Sequence, residues 1–392
     1  MSSPCLPPEI FDHIVDLLHG EPETLKACCL ISKSWIPRTR KHLFASVEFR
    51  SVNAIESWKE TFPDPLGSPA YHTRTLWVRH PEVVTVADAE EGGWIRTFSR
   101  VTKLVVHNNP VKTNNSEVTL IPFHGFSPVL ESLEVFFDTL PNTRIFDLVS
   151  SMPLLKNLFL FINEVDTNDL LNSNAPLSII QPPTSPAFTG TLDLTLPGGM
   201  GTTTRRLLAL PNGLHFQRLA LTWDLEEDLQ WIVALVVGCS DTLKRLTVTC
   251  HLSGMLILLL HFTFLLPSLV GDSNLSPIDL SKATKLERVV FLPTPAGVEW
   301  ITLSLQTVTP KHRDFRQILI LPPYDSALAD ASTDVRQTVG DHVYGLWLDL
   351  DRLLVQLWES RCIRPMVPTT TQHTRRYMGC LLPEVMKRGM VE

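Results

Sequence analysis

The sequence offers little of what catalysis or cofactor binding requires. It holds no GxSxG, HExxH or GxxxxGK[ST] pattern, and its nearest likeness to a phosphate loop, "PGGMGTTTRR" from residue 197, lacks the lysine at its place and reads as a flexible loop. No enzyme and no cofactor is therefore expected. The seven cysteines, at 5, 28, 29, 239, 250, 362 and 380, include no CxxC pair, and their odd number rules out complete intramolecular pairing. That usage suits a reducing compartment, so a cytoplasmic or nuclear location is expected. No basic segment followed by an uninterrupted apolar run opens the chain, because Glu9, Asp12 and Asp16 fall within its first apolar stretch. Long basic runs are also missing. With 34 Lys and Arg against 41 Asp and Glu, a net charge of -7 sets the overall field against a nucleic-acid backbone. The short cluster Arg38, Arg40 and Lys41 reads as a solvated helix face.

What the chain does have is apolar material, 44% of its 392 residues, enough to bury a sizeable core. It begins early. In "LPPEIFDHIVDLLHGEPETLKACCLISKSW", residues 6 to 35, Pro7 and Pro8 with Glu9 predict a helix start, and the helix runs to about Leu18. Ile10, Ile14, Leu17 and Leu18 form one stripe and Phe11 and Val15 a second, with Asp12, His13 and Asp16 left for water. A second helix is predicted from Glu21 and Pro22 with Leu25, Cys28 and Cys29, and a third from about Ser32 to Leu43 and Phe44 with Trp35 and Ile36 inward. Two stripes need two packing partners, and a unit this small leaves a face over.

These residues resemble the F-box. Leu6-Pro7, Glu9-Ile10, Ile14, Leu18, Leu25 and the run Leu30-Ile31-Ser32-Lys33-Ser34-Trp35 follow its pattern of LP-x-E-[IL] and then [VLI]-[CS]-x-x-W, with Ser32 where cysteine is common. The resemblance covers about the first 45 residues. It implies that the spare face binds the Skp adaptor of an SCF-type ubiquitin ligase, and through it a cullin. Leu6, Pro7, Ile10, Ile14, Leu18, Leu25, Leu30 and Trp35 would then be its contacts or supports.

Beyond residue 45 a triplet of apolar positions recurs, as in "LESLEV", "FQRLAL" and "LKRLTV". Its centres fall at Val47, Leu76, Leu104, Leu133, Leu158, Leu192, Leu219, Leu246, Val289 and Ile318, in steps of 29, 28, 29, 25, 34, 27, 27, 43 and 29. Most steps lie in the range of about 20 to 29 typical of leucine-rich repeats, each with one short strand and a returning arm. The expected architecture is an α+β or α/β solenoid: a three-helix unit at 1–45, an irregular, curved repeat domain at 46–332, a capping helix at 333–361, and a linker with a short helix at 362–392. The two long steps carry a Pro- and Ser-rich insertion at about 172–190 and an apolar one at 255–270, whose 16 residues, once removed, leave a step of 27. That second insertion reads as a greasy loop or a translated intron remnant. With Leu252 it is also barely long enough to span a membrane, but His261 and Pro267 interrupt it.

The helix predicted from about Asp334, with Val339, Val343, Leu346, Leu350, Leu353, Leu354 and Leu357 on one stripe, reads as the cap of the open end. "IDLSKATKLERVVF" and "WLDLDRLLVQLWES" resemble the body of F-box proteins abundant in basidiomycete fungi. A protein target is expected on the strand residues that alternate with the buried ones: Trp77, Arg79, His107, Phe136, Phe159 and Phe161, with Val105, Glu134, Asp193, Thr222 and Thr249 alongside. The expected function is substrate recruitment to a ubiquitin ligase. The alternatives are an interaction scaffold whose first helices only cap the repeats, or a membrane-associated protein using 252–270.

Overall fold

The computed structural model describes residues 7–64, 67–81, 84–90, 93–107, 123, 128–139, 145, 148–164, 188–196, 200–210, 212–223, 229–250, 276–292, 297–321, 336, 339–361, 363–367 and 372–389. They form a mixed α/β fold whose parallel sheet has eleven strands in chain order. The fold divides into two compact units, one holding the described residues up to Leu158 and the other those from Phe159 on.

The first unit opens with α1 (Pro8–Leu17), α2 (Pro22–Ile31), a 3-10 turn at Lys33–Trp35 and α3 (Ile36–Leu43). Each helix carries proline in its first turn, where its missing N–H would have had no partner. Strand β1 (Ser46–Phe49) follows, then α4 (Val52–Thr61), capped by Ser51, whose Oγ accepts the N–H of Ala54 at 3.2 Å. Next come β2 (Thr75–Val78), α5 (Val86–Ala89), a 3-10 turn at Trp94–Phe98, β3 (Lys103–His107), β4 (Ser132–Thr139) and the start of β5 (Asn157–Glu164). Between β1 and these arms lies an aromatic cluster. Phe49 sits 5.6 Å from Trp58, 5.3 Å from Trp94 and 6.1 Å from Phe98, and Trp58 lies 4.8 Å from Phe62.

The second unit continues with β6 (Thr191–Thr195), α6 (Met200–Leu208), β7 (Arg218–Trp223), α7 (Leu229–Gly238), β8 (Arg245–Cys250) and β9 (Arg288–Phe291). It ends with α8 (Gly297–Gln306), β10 (Gln317–Ile320), α9 (Asp341–Arg361), β11 (Arg364–Met366), α10 (Gln372–Leu381) and α11 (Pro383–Lys387).

The predicted repeat centres coincide with the pairing register. Val47, Leu76, Leu104 and Leu133 are successive Cα partners in the first unit, as are Leu192, Leu219, Leu246, Val289 and Ile318 in the second. Each is buried, because a strand's side chains alternate and the apolar set of every repeat turns to one face. The pairing of Leu246 with Val289 places residues 255–270 between consecutive strands. That insertion lies outside the described residues, as do residues 172–187 of the other; Phe188, expected within that insertion, is instead core, with its ring tilted 4.8 Å from that of Phe216.

Three expectations are corrected. Residues 200 to 208 form α6 rather than a flexible loop, with Met200, Thr203, Thr204 and Leu207 buried. Gly201 permits it, since a Cβ there would stand 2.7 Å from Trp231 Nε1. The long helix is continuous only over Asp341–Arg361: Arg336 and Val339 are also helical, but Gly340 takes a left-handed φ of 82° that interrupts the run, and Asp334 lies outside the described residues. It is also not the final cap. The stretch taken for a linker supplies β11, which pairs with β10, so α9 is the arm between two strands. Pro365 hides this strand in the sequence, since proline is disfavoured in central strands but tolerated on an edge.

The end of the chain is tied to α9 through Asp351, which is 2% exposed. Its carboxylate accepts the N–H groups of Glu384 and Val385, both at 2.9 Å, and so caps the short helix α11 from a neighbouring element. Burial pushes its pKa up despite these donors. Asp351→Ala would leave two donors without an acceptor, and a loss of about 1–3 kcal/mol is expected in chemical denaturation. An unchanged midpoint would show that water replaces the carboxylate.

Candidate protein-docking surfaces

The N-terminal helices resolve the two stripes of α1. Val15 is buried, and Phe11 is half-buried with its ring 5.3 Å from that of Trp35. The other stripe faces outward: Ile10 is 46% exposed, Ile14 39% and Leu17 68%. At the end of α2, Leu30 is 89% and Ile31 67% exposed. Large apolar side chains at such exposure on adjacent helical turns are the kind of surface that a partner covers.

Polar contacts hold α1 in this orientation. Arg38 Nε donates to Asp16 Oδ1 at 2.7 Å, its Nη2 donates to Oδ2, and His42 Nε2 lies 2.7 Å from Oδ1. Asp16 and Arg38, read in the sequence as solvated, instead join α1 to α3. Cys29 Sγ lies 2.9 Å from Thr39 Oγ1, which donates to the Trp35 carbonyl, and this joins α2 to the turn and α3. Cys28 is buried, so the adjacent cysteines serve packing.

The Arg38 hydrogen bond, followed by that of His42, holds the Asp16 carboxyl well below the usual carboxylate range. A group depressed in this way stabilises the fold above its ordinary titration range, about pH 4. The contribution is lost as pH falls through the lower folded-state value. Asp16→Ala is expected to speed amide hydrogen exchange in α1 at pH 7, with the gap from the wild type closing in strong acid. Equal exchange at pH 7 would show the tie to be idle.

The eight adaptor positions expected from the sequence therefore separate. Ile10, Ile14, Leu30 and Pro7 are exposed, Leu18 and Trp35 are half-buried, and Leu6 lies outside the described residues. Leu25 is 1% exposed and lies inside the helical unit, so it supports the face and cannot touch a partner. Leu17 and Ile31 belong to the exposed set, although neither is among those eight. For Leu17 the signal was present, seven residues after Ile10 on the same stripe.

On the solvent side of the strands, Trp77 is half-buried beneath Lys103, whose Nζ lies 5.9 Å from the ring centre. Lys103 also pairs with Glu134 at 2.7 Å, and Arg79 with Glu48 at 2.7 Å. His107 stacks on Phe136 at 5.8 Å. Phe159 and Phe161 are half-buried. Val105 departs from the alternation, being fully buried although its neighbours Leu104 and Val106 are buried too. Thr195, Thr222 and Thr249 form a hydroxyl ladder at 3.3 and 2.9 Å, and Asp193 is half-buried.

Among the described residues, no three His, Cys, Asp or Glu side chains are grouped to hold a metal ion, and no helix is long and apolar enough to cross a membrane. The segment 252–270 is not among them. No protein-family model matches the chain, and no curated protein matches it significantly.

Proposed function

We propose that this chain is a substrate-recruiting subunit of an SCF-type ubiquitin ligase, with α1 to α3 docking a Skp adaptor, and through it a cullin, while the strand face holds a protein target. The observation that carries the reading is the outward stripe Ile10, Ile14 and Leu17, exposed on a helix whose other stripe, Phe11 and Val15, is already satisfied inside. Covering a fully exposed side chain of this size stabilises a complex by about 1.5–3 kcal/mol, and somewhat less at partial exposure. The contact is helix packing between apolar surfaces, so salt weakens it little.

The mechanism is proximity. Holding a target beside a ubiquitin-loaded enzyme raises the local concentration of its lysines without any bond chemistry on this chain. Co-purification of the full chain with a Skp adaptor and cullin at moderate salt tests the reading. Failure of folded wild-type protein to retain them would make the helices a cap on the repeats.

A further inference from the structure

In the second unit, the residue just before each repeat centre falls on one line across the sheet. Arg218 is the Cα partner of Arg245, Arg245 of Arg288, Arg288 of Gln317, and Gln317 of Arg364. Because side chains alternate, these residues lie on the face opposite Leu219, Leu246, Val289 and Ile318. Arg218, Arg245 and Arg364 are exposed; Arg288 is half-buried, and its Nε is buried without a hydrogen-bond partner.

None of the four guanidinium groups meets a carboxylate among the described residues. Two residues further along the strands the aligned positions are uncharged: Ala220, Thr247, Val290, Leu319 and Met366. Asp193 stands one strand outward, beside Ala220, and Glu287, just ahead of the row, faces Lys244 at 3.9 Å. The first unit differs, since its Lys103 and Arg79 on the corresponding face are matched by Glu134 and Glu48. Unmatched like charges at strand spacing repel one another, and a buried N–H without an acceptor is unfavourable. An anion placed over the row relieves both.

We infer that this row binds an extended, Asp- and Glu-rich segment of a partner protein, lying across the strands. This names the class of target and rests on the proposed role of the sheet as its holding surface. Strands about 4.8 Å apart put Arg218 and Arg364 about 19 Å apart, the length of about six extended residues. The planar guanidinium fork matches a carboxylate with two hydrogen bonds. A compact anion engages only neighbouring members of a row that crosses five strands. Nucleic acid fits less well, since the net charge of -7 opposes it and the adjacent row offers no aromatic ring on which a base could stack.

The test is fluorescence anisotropy of labelled hexaglutamate with the full chain, without adaptor, at low and physiological salt. Wild-type protein is expected to bind it in preference to hexaglutamine. An Arg218→Gln/Arg245→Gln variant, altered only at exposed positions and checked by its melt, is expected to bind at least about tenfold more weakly. Arg352→Gln, which removes an exposed charge on α9, should bind as the wild type does. Equal binding by the double variant would overturn the inference. So would equally tight, row-dependent binding of an oligonucleotide of matched charge, or displacement by inorganic phosphate at the peptide's own concentration. Because no adaptor is present, failure here leaves the adaptor test independent.

Discussion

An Ile10→Asp/Ile14→Asp variant is expected to lose retention of the Skp adaptor and cullin while keeping the wild-type melt. Both residues lie on the outward stripe of α1, at 46% and 39% exposure, so the free protein can hydrate the new carboxylates. In the proposed complex each would be pressed against an apolar surface without a partner, at a cost of about 2 kcal/mol or more. Two such penalties weaken the complex at least about a thousandfold. Trp35→Ala should behave differently. Trp35 is half-buried against Phe11, so its removal loosens α1 and lowers the melt before it touches any interface. Retention by the doubly charged variant would place the adaptor contact elsewhere on the chain and remove the observation on which the proposed function stands.

Phe98→Ala is expected to give the largest loss of stability, about 3–5 kcal/mol, read from the urea midpoint. Phe98 is fully buried and lies 5.5 Å from Trp58 and 5.9 Å from Trp94, as well as beside Phe49. These rigid rings come from β1, α4 and the turn after α5, and cannot all move into the space left behind, so a cavity remains. A loss below about 1 kcal/mol would show that the cluster collapses and that the first unit takes its stability from elsewhere.

The aromatic cluster was not legible in the sequence, because its members are scattered over residues 49 to 98 with no common period. Nor was β11, which proline disguised, or the helix at Met200, where a glycine-rich stretch reads locally as a loop and Gly201 leaves the room that Trp231 fills. The repeat was legible. Strand alternation is a local property, and the steps between centres are bounded by the length of chain that one strand and its returning arm require. The sequence therefore determined by itself where the strand centres fall, step after step, and the presence on α1 of more apolar surface than a small helical unit can cover.

Only the tertiary structure decided which stripe of α1 turns inward. Both are apolar at helical spacing, and the choice depends on Trp35 meeting Phe11 and on Arg38 and His42 meeting Asp16 from α3. It alone also showed which charges stay unmatched. Arg218, Arg245, Arg288 and Arg364 are far apart along the chain and become a row only when parallel strands pair in register. Periodicity records how a segment presents its own side chains, whereas the partner each side chain meets is fixed by pairing between distant segments.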